Sequence, residues 1–229
     1  MLWYKGWLET RFRLFFTIVL MGFILVLQYS RGTTPEAIRA VVQFSFPVLM
    51  VMICTMLAGA GIVTQPTLAV SKGIHGSTLF TLSLPVSRFR LLGVRAAIGW
   101  LEGAGLLAAF CCVFWFLSPT LRGMETPADL FKYMVTVVAC TSAIYFLSVL
   151  LGTFLDDQWR VWGTMIACSV YWWLCAHTGL PAFADIFRGM GKDSPLLAHT
   201  MPWNAIGFSL VVAVGLFFAA LKIVKAREY

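Results

Sequence analysis

The residues able to do chemistry are few and scattered. The three histidines, His75, His177 and His199, stand far apart: the first and last fall in loops and the second at the end of an apolar run. No serine or cysteine joins them in a nucleophile–base spacing, and neither HExxH nor GxSxG occurs. The six cysteines all lie inside apolar runs and form no CxxC. They read as small packed hydrophobes, with no disulfide and no metal site expected. The pair Gly191–Lys192 lacks the upstream glycine of a phosphate-binding loop, and Asp193 stands where Ser or Thr belongs. This chain is therefore not expected to be an enzyme or to hydrolyse nucleotide itself, and no catalytic residue is assigned.

One ionisable residue does stand out. Glu102 is an acid well inside an apolar run, about ten residues past its basic entrance and so roughly 15 Å deep along a helix. A charge at that depth costs about 3 kcal/mol on insertion scales, so Glu102 must face protein or water. Arg95, two helical turns away, is placed to compensate it in part. Two roles fit Glu102: a pore or gating residue, or a structural polar contact. Gly99 and Gly103 bracket it as a GxxxG, which permits close helix approach.

The elements that position these residues follow from composition. The 229 residues are 60% hydrophobic and only 12% charged, with mean hydropathy +0.85. A soluble domain is nearer a quarter charged, so there is too little polar surface here to cover a water-soluble globule. The expected fold is an all-α integral membrane protein forming a single transmembrane domain over 1–229. Six segments are long and apolar enough to span: about 14–30, 41–63, 91–117, 131–155, 161–178 and 205–221. The second contains Pro47, which a membrane helix tolerates when neighbours serve the freed carbonyl. No segment alternates like a barrel strand.

The net charge of +7 would suggest nucleic acid on a soluble protein; on a membrane protein its distribution matters more, and no nucleic-acid partner is expected. Of the 17 Lys and Arg, eleven flank one set of span ends and six the other. The richer side is expected to be cytoplasmic, with both termini inside. Residues 3–13, "WYKGWLETRFR", place Lys5, Glu9 and Arg13 on one helical face and aromatic residues over the rest. This is the pattern of an amphipathic helix in the membrane interface, followed by a retained anchor rather than a cleaved leader. The external link 179–204 is semi-apolar and a candidate for dipping back into the outer leaflet.

The internal loop 64–90 carries the most informative segment. Residues 74–84, "IHGSTLFTLSL", suit a short helix, and Pro85 ends it. Arg88, Arg90 and Arg95 then mark the entrance to the third span. The positive-inside bias accounts for these arginines as membrane-flanking charges; it does not account for the short helix before the proline.

The order "WLETRFR", two spans, then "HGSTLFTLSLPVSRFRLLGVR" resembles the membrane (permease) subunits of type 2 ABC exporters. In that family a similar "LLSLPVSR" segment ends the cytoplasmic coupling helix between the second and third spans. The resemblance covers essentially the whole chain and is most specific over residues 76–95. One departure is that family members often carry an acid and a base just before the Gly-Thr start of that helix; here "SKGIHGST" offers Lys72 and His75 but no acid. The resemblance implies one half of an exporter pore in a bacterial cytoplasmic membrane. It would pair with a second copy or a related permease, within membrane lipid. A separate cytoplasmic ABC ATPase would hold ATP and Mg²⁺, this chain binding no cofactor. It further implies docking of that ATPase on His75, Ser77, Thr78, Leu79 and Phe80, with Arg88 and Arg90 nearby and the link 156–160 as a minor contact. The competing class is a secondary transporter or channel acting without an ATPase, for which inverted repeats or several buried charges would be the signs.

Overall fold

The computed structural model describes residues 11, 14–24, 26, 34–58, 88–155, 157–178 and 181–226. Every regular element among them is helical. We label them α1 (Leu14–Ile24), α2 (Pro35–Leu57), α3 (Arg88–Leu117), α4 (Pro119–Met124), α5 (Pro127–Leu151), α6 (Asp157–His177), α7 (Ile186–Met190), α8 (Pro195–Ala198) and α9 (Trp203–Ala226).

Four helices are long and apolar enough to cross a membrane: α2, residues Leu92–Leu117 of α3, α5, and α9. With 23 to 26 residues each, they reach roughly 35–39 Å, against a hydrocarbon core of about 30 Å. The other two expected spans differ. The apolar helix α1 has 11 described residues, roughly 16 Å and too short alone. Helix α6 has the length, at 21 residues, but Gln158, Arg160, Thr164, Ser169 and His177 dilute its apolar content.

Helix starts are set by a repeated device. Thr34, Ser118 and Thr126 each precede a proline and accept a backbone N–H from the first turn of α2, α4 and α5. The hydroxyl serves a donor the helix cannot, and proline at the first position has no donor to lose. Within α2 the chain meets Pro47, whose ring and missing N–H disrupt regular α geometry one turn back. It responds with a π turn over Val41–Ser45, Phe46 N–H reaching Val41 O. The Gln43 carbonyl is then approached by Gly191 so closely that a Cβ there would sit 2.8 Å away.

Helix α5 is the central pillar, packing most extensively on α9 and also on α3, α2 and α6. The aromatic centre of the core is Phe46, edge-on to Phe110 at 5.2 Å and to Phe114 at 4.8 Å. Several polar groups inside this apolar bundle find partners across helices, although the Tyr133 hydroxyl finds none among the described residues: Tyr145 Oη donates to Ala96 O at 2.9 Å, Trp100 Nε1 to Ser142 Oγ at 2.9 Å, and Ser209 Oγ to Cys140 O at 2.7 Å. An unserved polar group in that setting would cost several kcal/mol. Gly99 belongs to the same contact: a Cβ there would lie 2.5 Å from Tyr145 Oη and 2.7 Å from Leu57 O. The GxxxG thus seats α3 against α2 and α5 of its own chain. The described cysteines form no disulfide.

The external link expected over 179–204 is largely structured. A 3₁₀ turn at Ala182–Ala184, then α7 and α8, fold back so that Ile186, Met190, Ser194 and Leu196 are buried. They pack against α5 and α9.

Candidate functional site

The helices alternate in direction, so the bundle has two ends with different chemistry. One end gathers the last residues of α2, α5 and α9 and the first of α3 and α6. The other gathers the first residues of α2, α5 and α9 together with α4, α7 and α8.

At the first end, the expected docking residues His75, Ser77, Thr78, Leu79 and Phe80 lie outside the described residues, as does nearly all of the interfacial segment 3–13. Arg88 opens α3 and Arg90 is exposed on its first turn. Helix α3 is 30 residues long, about 45 Å, so its arginine-bearing start extends beyond any apolar core the other helices share. Glu102 is half-buried at the margin of the buried stripe of α3, with one carboxylate oxygen shielded from solvent.

Arg160, one of the eleven Lys and Arg counted at this set of span ends, is 1% exposed. Its Nη1 donates to Thr55 O and to Ser148 Oγ, both at 2.7 Å. One guanidinium therefore bolts the start of α6 to the ends of α2 and α5. Gly152 makes room for it, since a Cβ there would meet Arg160 Cδ at 2.9 Å. Arg160 thereby joins the start of α6 to the last turn of α2, which ends shortly before residues 59–87, outside the described residues.

Between α2 and α6, toward the opposite end, lies a groove of about 340 Å³. Pro47, Val51, Cys168 and Trp172 form its apolar walls, and Asp185, Arg188 and Lys192 line its ionic mouth. Arg188 Nε donates to Asp193 Oδ2 at 2.6 Å. An apolar channel with a few convergent charges is the usual form of a small-molecule site.

That opposite end also assembles a cluster that spacing alone does not reveal. Glu125, the residue after α4, Asp129 in the first turn of α5, and His199 just after α8 present ligating atoms within 4.8 Å of one another. His199 Nδ1 is 3.4 Å from Glu125 Oε2 and 3.9 Å from Asp129 Oδ2. Thr126 Oγ1 donates to Asp129 Oδ2 at 2.7 Å, and Lys132 Nζ to Asp129 Oδ1 at 2.9 Å. Burial raises the Glu125 carboxyl above its ordinary range; His199 and Arg39 draw it back, and Asp129 adds to the rise.

Comparison with known proteins gave no matching family model, no matching curated protein and no matching solved structure.

Proposed function

We propose that this chain is the permease half of an ATP-driven exporter of the type 2 ABC kind. The observation that carries the reading is the sequence 76–95, "GSTLFTLSLPVSRFRLLGVR", whose alternation of apolar and polar residues, followed by Pro85 and then Arg88, Arg90 and Arg95, is the pattern expected of a short docking helix before a span. A docked ATPase would bind residues 74–84 and hold ATP and Mg²⁺ on its own chain. What supports the coupling step is the rigidity of the span ends beside that loop. Arg160 joins α2, α5 and α6 there, so a push on the loop moves packed helices instead of dissipating in a loose linker. Any such coupling must rest on contacts that differ between pore states.

In this reading α1, extended toward residue 30, and α6 complete six spans. The basic end is cytoplasmic and holds both termini. The groove between α2 and α6 forms part of the export path, and the exposed apolar row Trp159, Trp162, Ile166 and Trp173 on α6 meets lipid or the second permease.

The test is biochemical. Gentle solubilisation from the native membrane should recover a P-loop ATPase with this chain, and Leu79→Arg or Phe80→Asp should abolish that association with the helical content intact. Transport by the chain reconstituted alone, without ATPase, would overturn the reading in favour of a secondary transporter. In that case Glu102→Gln is the first variant to examine, because Glu102 is the acid set within α3.

A further inference from the structure

Glu125 carries an unusual burden for a carboxylate. The residue is 8% exposed, and its Oε2 is wholly buried without a hydrogen bond. Buried polar atoms are nearly always served, and an unserved one calls for an explanation. The neighbouring atoms supply it. Oε2 faces His199 Nδ1 at 3.4 Å, close to a contact yet without hydrogen-bond geometry. Asp129 Oδ2 completes a triangle, 3.9 Å from the same nitrogen.

The His199–Glu125 separation is that between two ligands of a single small metal ion, and Asp129 Oδ2, at 3.9 Å from the imidazole nitrogen and within 4.8 Å of both partners, needs only a small side-chain shift to join them. A tetrahedral zinc with bonds of about 2.0–2.1 Å holds its ligand atoms about 3.3–3.4 Å apart. One imidazole with two carboxylates suits zinc or a similar imidazole-accepting divalent ion; calcium and magnesium favour oxygen-only shells with more ligands. His199 is 61% exposed at the side chain, which leaves the outer side open for a fourth ligand such as water. The polar surroundings hold the carboxylate in place: the Thr126 hydroxyl orients Asp129 Oδ2, and Lys132 occupies Oδ1, leaving Oδ2 toward the cluster. Supports of this kind typically fix metal-binding carboxylates. The two carboxylates bring two negative charges to the cluster; Lys132, paired with Asp129, and Arg39, acting on Glu125, offset them, so a dication would compete with these two side chains for the carboxylates.

We propose that Glu125, Asp129 and His199 form a binding site for one zinc-like divalent metal ion, linking the α4–α5 junction to the α8–α9 turn. It rests on side-chain geometry alone and is independent of the exporter reading. The site holds together elements from distant parts of the chain, so metal would tighten this end of the bundle much as Arg160 tightens the other.

The backbone suggests the cleanest variant. His199 has φ of 54°, the one positive φ of a non-glycine residue among those described. Asparagine tolerates that conformation, so His199→Asn removes the imidazole with little backbone strain. The full-length protein, purified in detergent and stripped with chelator, is dialysed against Zn²⁺, and separately against Co²⁺ as a spectroscopic stand-in. The wild type should bind one more ion per chain than His199→Asn and show a visible Co²⁺ absorption that the variant lacks. Glu125→Gln should weaken that ion at least about tenfold. Comparing variants with wild type removes any background from the cysteines, His75 and His177. Equal stoichiometry and equal spectra in wild type and His199→Asn would overturn the site. Mg²⁺ protecting against heat as well as Zn²⁺ does would overturn the metal class.

Discussion

The two ends of the bundle bury charge in opposite ways. At the end where α6 begins, Arg160 is 1% exposed and its Nη1 donates to Thr55 O and Ser148 Oγ. At the other end, Glu125 is 8% exposed and its Oε2 has no hydrogen bond. A buried cation that donates to a carbonyl and a hydroxyl is fastened, because those two acceptors need no change of state to hold it. A buried anion left near an imidazole and a second carboxylate is unfinished, and becomes stable by proton or by cation. The first end is therefore the mechanical anchor of the molecule, and the second is the end whose firmness depends on what it binds.

If that contrast is right, the largest loss should come from the anchor. Arg160→Met keeps an unbranched chain but withdraws the hydrogen bonds to Thr55 O and Ser148 Oγ, stranding a carbonyl and a hydroxyl among packed helices. Each stranded group costs about 1–3 kcal/mol, so a loss of about 3 kcal/mol is expected in denaturant titration of the purified protein. A loss below about 1 kcal/mol would remove Arg160 from its role as the bolt.

The next effect probes the same end by filling space. A Cβ at Gly99 would intrude on Tyr145 Oη at 2.5 Å and on Leu57 O at 2.7 Å, whereas one at Gly103 meets Leu57 Cδ1 at 3.8 Å. Gly99→Ala should therefore destabilise by about 2 kcal/mol, as overpacking does. Gly103→Ala should be close to neutral, since its contact is an ordinary one. Equal effects at the two glycines would show that α3 has slack against α2 and α5, and the anchor would be looser than its hydrogen bonds imply.

Much of this architecture was legible in the sequence, and the misses have physical causes. The apolar runs located α2, α3, α5 and α9 because hydrophobic burial and lipid exposure both demand them. Their starts were read six and four residues late, at 41 and 131, against Pro35 and Pro127. Polar residues in the first turns, Glu36, Arg39, Asp129 and Lys132, lower the local hydropathy. The pairs Thr34–Pro35 and Thr126–Pro127 were the better signal, because capping depends on punctuation and not on greasiness. Arg160 was invisible as a bolt, since a charge count cannot distinguish an arginine reaching for headgroups from one folded inward. The cluster was half legible: Glu125 and Asp129 are one turn apart, but His199 arrives only through the fold-back of α7 and α8.

A smaller effect tests the open end. The Thr126 hydroxyl accepts from Asp129 N at 3.2 Å and donates to Asp129 Oδ2 at 2.7 Å. Thr126→Ala removes a helix cap and should cost about 1 kcal/mol. It also frees Asp129 to change rotamer, so zinc affinity should fall alongside stability. At the anchor, Arg160→Met should lower stability without touching zinc affinity. A loss of zinc binding in both variants would mean that the two ends are not independent, and the contrast between them would collapse into one cooperative unit.

The smallest expected effect concerns an ion pair that looks strong. Arg188 Nε lies 2.6 Å from Asp193 Oδ2, the shortest described ion pair at this end. Both side chains are well exposed, at 45% and 40%, and an exposed pair gains little because water solvates each partner nearly as well. Arg188→Ala should therefore change unfolding stability by less than about 0.5 kcal/mol. Distance and energy part company here for the same reason that Arg160 matters so much: the surroundings set what a contact is worth. Because Arg188 also stands at the mouth of the groove between α2 and α6, the variant separates two uses of one residue. On the exporter reading proposed above, unchanged stability with impaired transport would assign Arg188 to ligand binding, and no change in either would leave that role to the groove's apolar walls.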